Sequence, residues 1–329
     1  MKPDITDRIF KITDHVAFSK YALEIFRLQY AGNEIYGEFI KSLRLDPASI
    51  KSALQIPFLP VEFFKNHRVV TGNLPYVTVF ESSGTSGSES GKHYIVDTGI
   101  YEKSFLNAFR LFYGDPASWM IAALLPSYTE RNNSSLVCMM DNLIKRSSYS
   151  GSGFYRDDFV SLISAIEKAR SLEQKVLLIG VSFALLDLAE KYSPDFHDII
   201  VMETGGMKGR RKEITRMELH SVLKQAFNAK AIHSEYGMTE LLSQAYSKGE
   251  GIFNCPPWMK ILIRDPQDPM TIINEPEITG GINIIDLANI HSCSFISTGD
   301  LGKLHQDGSF EVLGRIDNSD IRGCNLLIE

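Results

Sequence analysis

Residues 14–30 carry apolar side chains at Ala17, Tyr21, Ile25 and Leu28, flanked by Val16, Leu23 and Phe26. That spacing predicts a helix, opened by Thr13 as cap and stopped at Gly32-Asn33. A second, shorter helix fits Glu34–Leu43. The stretch Ile56-Pro57-Phe58-Leu59-Pro60 reads as irregular, because neither proline suits a helix interior.

From residue 76 the period changes. Tyr76–Phe80 and His93–Val96 read as strands, separated by the polar loop Glu81–Lys92. Apolar strands then alternate with amphipathic helices: strand Trp119–Leu125, helices Ser135–Lys145 and Phe159–Ala169, strand Val176–Ile179, helix Phe183–Tyr192, strand Ile199–Met202, helix Glu213–Phe227 and strand Ala231–His233. Such alternation implies an α/β fold, a large mostly parallel sheet with helices on both faces. Beyond about residue 250 the helical period stops. Lys260–Arg264, Ile282–Ile285, Ser294–Ile296, Leu301–Leu304 and Phe310–Leu313 read as short strands, the last two joined through Asp307-Gly308. The expected organisation is an α/β body over 1–250, a small antiparallel β subdomain over 251–315 and a tail over 316–329.

Composition narrows the function classes. The chain has 329 residues, 44% of them hydrophobic and 22% charged, which is ordinary globular usage and excludes disordered or fibrous readings. With 34 Lys plus Arg against 40 Asp plus Glu, the net charge of −6 supplies no global field for nucleic acid or an anionic membrane. The start, MKPDITDRIFKITDH, shows no secretory pattern, and apolar runs such as Met120–Leu125 are too short to span a bilayer. Cys138, Cys255, Cys293 and Cys324 are widely spaced with no CxxC pair, so neither a zinc site nor a disulfide framework is expected. A reduced cytoplasm is the expected setting.

Four segments carry chemistry. In Glu81-Ser82-Ser83-Gly84-Thr85-Ser86-Gly87-Ser88-Glu89-Ser90-Gly91-Lys92, glycines let backbone N–H groups converge while hydroxyls add donors, a nest suited to phosphate oxygens. It is not a Walker loop: Ser86 stands where that motif needs its first Gly, and His93 follows Lys92. A Gly/Ser surface hairpin has the same composition. In His233-Ser234-Glu235-Tyr236-Gly237-Met238-Thr239-Glu240, read as running from strand to helix, Thr239 caps the helix and faces a phosphate, and Glu240 offers hard oxygen to Mg²⁺. Simple capping accounts for the same residues. Thr298-Gly299-Asp300 and Gly314-Arg315-Ile316-Asp317 supply an acceptor for ribose hydroxyls and a phosphate-pairing Arg, or plain β-turns.

In this order the four segments resemble the adenylate-forming superfamily of acyl- and aryl-CoA synthetases, luciferases and peptide-synthetase adenylation domains. The family's S-G-T-[ST]-G loop is matched by Ser83–Gly87, its Y-G-x-T-E by Tyr236, Gly237, Thr239 and Glu240, its T-G-D by Thr298–Asp300 and its G-R-x-D by Gly314, Arg315 and Asp317. There are departures: Glu89-Ser90-Gly91 replaces Pro-Lys-Gly, Ser297 replaces an Arg, and the hinge-to-Gly323 spacing is one residue short. The sequence given ends at Glu329, just past the hinge, so the superfamily's C-terminal domain and its catalytic Lys are expected to be absent.

That ending, with Phe58–Lys65, Leu125–Tyr128 and Glu203–Arg211, resembles the acyl-protein synthetase (LuxE) family. The resemblance implies the fold of an adenylate-forming N-terminal domain. It also implies ATP- and Mg²⁺-dependent activation of a fatty acid as acyl-AMP, then transfer to a cysteine near the C-terminus, here Cys324. Its implied roles are phosphate binding by Ser83, Gly84, Thr85, Ser86 and Gly87, metal and phosphate contacts by Glu240 and Thr239, adenine and acyl contacts by Tyr236 and Gly237, ribose binding by Asp300, and ribose–phosphate contact by Arg315. For the α-phosphate, Lys208, Arg210 or Arg211 after Gly205-Gly206 stands in for the missing Lys; a solvated basic turn is the alternative. An acyl-accepting partner protein (reductase, acyltransferase or carrier) is implied, and transfer to CoA or a sugar amine stays open. Arg322 beside Cys324 favours its thiolate, though a buried terminal cysteine is as simple. The other cysteines read as packing, and His93 and His233 as structural, with His233 also placed to line the acid pocket. Two other classes remain: a hydrolase using Gly180-Val181-Ser182-Phe183-Ala184, a poor match to a nucleophile elbow, and a non-catalytic binding relative.

Overall fold

The computed structural model describes residues 5–82, 90–125, 133–207, 211–212 and 214–316. Contacts divide the chain into two compact units, Met1–Leu74 with Pro257–Glu329, and Pro75–Pro256. The sequence reading placed residues 1–250 in one body; residues 1–74 instead group with the C-terminal strands.

In chain order, the N-terminal segment holds α1 (Ile5–Arg8), α2 (His15–Gly32), α3 (Glu34–Ser42), the short strand β1 (Leu59–Pro60) and α4 (Phe63–Asn66). Helix α2 is capped by Asp14, whose carboxylate accepts from Ala17 N at 2.8 Å, and not by Thr13. A carboxylate is the better acceptor at the positive helix end. The buried face is also rotated from the expected one: Phe18, Ala22, Ile25, Phe26 and Gln29 are buried, while Leu28 is 42% exposed. Gln29 explains the rotation. Its Nε2 donates to Asn289 O (3.0 Å), Ile290 O (3.1 Å) and Ser294 Oγ (3.2 Å), and its Oε1 accepts from Ser294 N (2.9 Å). A polar side chain so satisfied is stable in the interior. Asn33 both caps α3 through Tyr36 N (3.0 Å) and donates to Ser292 O (3.0 Å).

The second unit opens with the two-stranded antiparallel hairpin β2 (Thr78–Glu81) and β3 (Lys92–Ile95). Next comes α5 (Thr98–Tyr113), which the sequence reading missed. Its aromatic-rich sequence has middling helix propensity, and burial of Tyr101, Phe105, Phe109 and Tyr113 supplies what propensity does not. The alternating series follows: β4 (Trp119–Leu124), α6 (Ser135–Arg146), β5 (Gly153–Phe154), α7 (Phe159–Ser171), β6 (Lys175–Val181), α8 (Ser182–Tyr192), β7 (Ile200–Thr204), α9 (Arg216–Phe227) and β8 (Ile232–Tyr236). Strands β5-β4-β6-β7-β8 are parallel, as expected. β4 is buried throughout and β6 in all but Lys175, the pattern of strands covered on both faces.

After Tyr236 the chain departs from expectation. No helix follows: a turn at Thr239–Glu240 leads to β9 (Ala245–Ser247), antiparallel to β8, and then to β10 (Ile252–Asn254). Thr239 therefore caps no helix. Residues 241–247 are all buried, Ser243, Gln244 and Ser247 included, which leaves no polar face for an amphipathic helix to present.

The first unit resumes with β11 (Met259–Arg264), β12 (Ile272–Ile273), β13 (Thr279–Asp286), β14 (Phe295–Leu304) and β15 (Phe310–Arg315). They form an antiparallel array, β12-β11-β13-β14-β15, with β1 beside β14. Ser294–Ile296 and Leu301–Leu304, expected as two strands, belong to the single ten-residue β14. Thr298-Gly299-Asp300 lies inside that strand and Gly314-Arg315 inside β15, so neither is a free β-turn. Register shifts between Gly281 and Asn283 on β13, and between Leu301 and Gly302 on β14, absorb the irregularity.

Candidate active site

The two ends of the Gly/Ser loop are held together by Ser82 and Gly91. Ser82 N donates to Gly91 O (2.9 Å) and Gly91 N donates to Ser82 Oγ (2.8 Å). Ser83, Gly84, Thr85, Ser86 and Gly87 lie outside the described residues. At the loop base, the carboxylate of buried Glu240 lies so close to Gly91 that a Cβ there would sit 2.3 Å from Glu240 Oε1. His93, 1% exposed, places Nδ1 2.9 Å from Thr239 O. The fold thus brings the loop base and the Thr239–Glu240 turn together. Glu240 offers a hard carboxylate oxygen, the donor type that a divalent cation takes. Among the described residues no group of three or more His, Cys, Asp or Glu side chains forms a metal site.

The carboxyl ends of β7 and β8 hold buried charge that the sequence reading did not assign. Glu203 Oε1 is 3.0 Å from Arg216 Nε and 3.6 Å from His220 Nε2. Ser234 Oγ is 3.2 Å from that same His220 nitrogen. Burial pushes the Glu203 carboxyl up, but the His220 hydrogen bond, the Arg216 charge and Ser234 outweigh it and hold it below the ordinary value. Among the described residues Glu235 has no ion-pair partner. Its Oε2 accepts from Thr204 Oγ1 at 2.5 Å, and burial, reinforced by the Glu203 charge, lifts it to about 7 despite that bond. The available signal was a glutamate as the penultimate residue of each of two neighbouring strands, Ile200–Thr204 and Ile232–Tyr236.

Around them, Tyr236 is buried edge-on to Phe253 at 5.9 Å. The Tyr113 hydroxyl lies 3.1 Å from His233 Nδ1, and burial, then the positive Lys248 and His220, lower His233 to about 4. That lowering keeps the His233 imidazole neutral beside the hydroxyl. Ser182 is 2% exposed; its hydroxyl donates to Gly205 O (2.8 Å) and approaches Glu203 Oε2 (3.5 Å), with no imidazole among its partners. That arrangement does not suit a nucleophile. Arg211 is held on α8 by Glu190, at 2.6 and 2.8 Å, and by Asp187. Lys208 and Arg210 lie outside the described residues.

In the first unit, Asp300 and Arg315 are register partners on β14 and β15, with Arg315 Nε 3.8 Å from Asp300 Oδ1. The Arg315 side chain is 90% exposed and that of Asp300 14%. Sequence reading missed the support beneath them. Buried Arg264 donates to Thr298 O (2.6 Å), Ile282 O (2.7 Å) and Asn283 Oδ1 (3.0 Å). Thr298 Oγ1 in turn accepts from Asp300 N at 3.1 Å. Cys138, Cys255 and Cys293 are unbridged. Burial raises Cys138 and lifts Cys293 to about 12, which suits packing thiols. Cys324 and Asp317 lie outside the described residues.

Solved structures share this architecture. ATP-bound MatB from Rhodopseudomonas palustris matches 75% of this chain and 49% of its own, with TM-score 0.56 and 14% identity. The amide bond synthetase McbA from Marinactinospora thermotolerans matches 74% and 50%, with TM-score 0.51 and 14% identity. The fold is that of the N-terminal domain of adenylate-forming enzymes. A luciferase-like enzyme from the mealworm Zophobas morio matches 75% of this chain and 60% of its own at TM-score 0.50 and 16% identity. The chain spans about half the length of the first two. No protein-family model and no curated protein matches it.

Proposed function

We propose that the protein is an ATP-dependent ligase that converts a carboxylic acid to its acyl-AMP and passes the acyl group to a thiol. The observation that supports this reading is the close approach of Gly91, at the base of the Gly/Ser loop, to the hard carboxylate of Glu240 at the carboxyl end of a parallel sheet, where α/β folds bind ligands. In the reaction a carboxylate oxygen attacks the α-phosphorus and pyrophosphate leaves. Positioning and charge neutralisation are the protein's main contributions.

Loop residues Ser83, Gly84, Thr85, Ser86 and Gly87 hold the leaving phosphates by backbone N–H and hydroxyl donors. Thr239 adds a hydroxyl, and Glu240 would be the protein ligand for Mg²⁺, which when bound would neutralise phosphate charge. Tyr236 and Gly237 face adenine and the acid, Asp300 takes the ribose hydroxyls, and Arg315 takes ribose and phosphate. Lys208 is favoured over Arg211 for the α-phosphate, because Arg211 is held by Glu190 and Asp187. The sequence resemblance favours a fatty acid as substrate and Cys324 as first acceptor, with a reductase, acyltransferase or carrier protein receiving the acyl group in the cytoplasm. Among the described residues no helix is long and apolar enough to cross a membrane.

The test is acid-dependent exchange of labelled pyrophosphate into ATP with Mg²⁺ and a panel of carboxylic acids. Exchange with one acid class is expected; absence of both exchange and ATP binding overturns the reading. A hydroxylamine-labile acyl adduct that persists in Cys324→Ser removes Cys324 from the proposal and leaves the adenylation step standing.

A further inference from the structure

Gly91 and His93 stand two residues apart where the chain leaves the Gly/Ser loop, and both face the Thr239–Glu240 turn. A Cβ on Gly91 would lie 2.3 Å from Glu240 Oε1, and His93 Nδ1 lies 2.9 Å from Thr239 O. Alternation in an extended chain puts such residues on one side, so β3 and its lead-in meet the turn at two places. A carbonyl oxygen only accepts, so Nδ1 carries the proton and donates.

That bond falls at the centre of the turn. Leu241 N donates to Met238 O at 3.1 Å, which closes four residues with Thr239 and Glu240 in the middle. The carbonyl held by His93 belongs to the peptide that joins those two residues. A peptide is planar, so fixing its carbonyl also fixes where the Cα of Glu240 stands and how its side chain sets out. The imidazole is anchored on packed structure. His93 is 1% exposed and pairs in register with Phe80 of β2, which lies edge-on to Tyr101 of α5 at 5.4 Å. Ile95, the next residue on that side of β3, is 2% exposed. An apolar side chain meets the packing there; what imidazole adds at position 93 is an N–H aimed at the turn.

We propose that His93 is a positioning residue for nucleotide binding: its Nδ1–H holds the Thr239–Glu240 peptide so that the Glu240 carboxylate is set for the metal of Mg²⁺-bound ATP. The inference rests on the adenylation reading and deepens it. It gives a function to a histidine that the sequence reading left as structural, and it ties the strand leaving the loop to the residue that would hold the metal. Groups that orient a metal-binding side chain commonly matter about 10–100-fold to metal affinity.

The experiment is calorimetric titration of the full chain with ATP, without any acid so that nothing turns over, once in excess Mg²⁺ and once in EDTA. The ratio of the two affinities is the Mg²⁺ gain, and the EDTA titration is each variant's own control. The wild type is expected to bind ATP more tightly with Mg²⁺. His93→Phe, which fills the space without an N–H, is expected to lose about tenfold of that gain and to keep its affinity in EDTA. His93→Asn, whose amide N–H stands near the place of Nδ1, restores the gain. His93→Gln, whose amide reaches toward the place of Nε2, does not.

A wild-type gain in His93→Phe overturns the proposal. Equal loss of affinity with Mg²⁺ and in EDTA, accompanied by a lowered thermal midpoint, assigns His93 to the fold alone and also overturns it. An Asn variant no better than Phe removes the hydrogen bond, and the proposal with it. A wild type that binds ATP equally well with and without Mg²⁺ overturns the positioning role and leaves adenylation to pyrophosphate exchange. A wild type with neither ATP binding nor exchange overturns both.

Discussion

Glu203 and Glu235 are each the penultimate residue of their strand, yet they leave the sheet on opposite faces. The register of β7 on β8 pairs Glu203 with Ser234 and Thr204 with Glu235, and alternation does the rest. One carboxylate meets a guanidinium and an imidazole, the other a single hydroxyl. Their proton affinities therefore move in opposite directions from the same ordinary value, the arrangement that separates functional from structural carboxylates in many sites.

That separation makes stability depend on pH. Glu235 is raised in the folded chain from 4.5 to about 7, so between those values the folded state keeps a proton the unfolded state has released. Its contribution is full below about pH 4.5 and is lost as pH rises through 7, by roughly 3 kcal/mol in total. Glu235→Gln removes this slope, and urea unfolding from pH 4.5 to 8 should show the variant gaining on the wild type as pH rises. Parallel curves for the two proteins would refute the assignment.

Arg216→Met strips Glu203 of its guanidinium and leaves a carboxylate that is 2% exposed without that charge beside it. A loss of about 3–5 kcal/mol is expected. Adding Glu203→Gln to Arg216→Met should recover part of it, since the uncompensated charge is then gone. Chemical denaturation of the two single variants and the double variant measures the coupling.

Gly91→Ala places a Cβ 2.3 Å from Glu240 Oε1 and forces the carboxylate away. Glu240 sits at the end of a side chain, so the fold should yield there: a thermal midpoint within a few degrees of wild type, with pyrophosphate exchange reduced about tenfold or more. Unchanged exchange would separate Glu240 from the chemistry.

Arg315 and Asp300 allow stability to be set apart from binding. With Arg315 90% exposed and its ion pair at 3.8 Å, Arg315→Ala should alter stability by no more than about 0.5 kcal/mol. If the nucleotide roles are right, Arg315→Ala and Asp300→Ala each raise the ATP KM by about tenfold, the size of one lost charge-assisted hydrogen bond. An unchanged KM in both variants would remove these residues from the nucleotide site.

Apart from the two-residue β5, the strands and helices from Trp119 to His233 were legible because each segment's own period reports how it meets a core, and fully apolar runs declare strands buried on both faces. The order of the four motifs was equally local information. Other features depended on residues far apart in the chain. Gln29 turns α2 about its axis because the acceptors and the donor it needs lie near residue 290. Thr239 enters a strand return because residues 241–247 are covered on every side. Thr298-Gly299-Asp300 stays extended because Arg264 and Ile282, on two other strands, take its hydrogen-bonding groups. Glu203 and Glu235 look alike in sequence. Which of them has a cation for a neighbour is settled by strand register and by where α9 sets Arg216 and His220 down. Periodicity cannot encode that, because a partner brought in by folding leaves no mark on the local pattern.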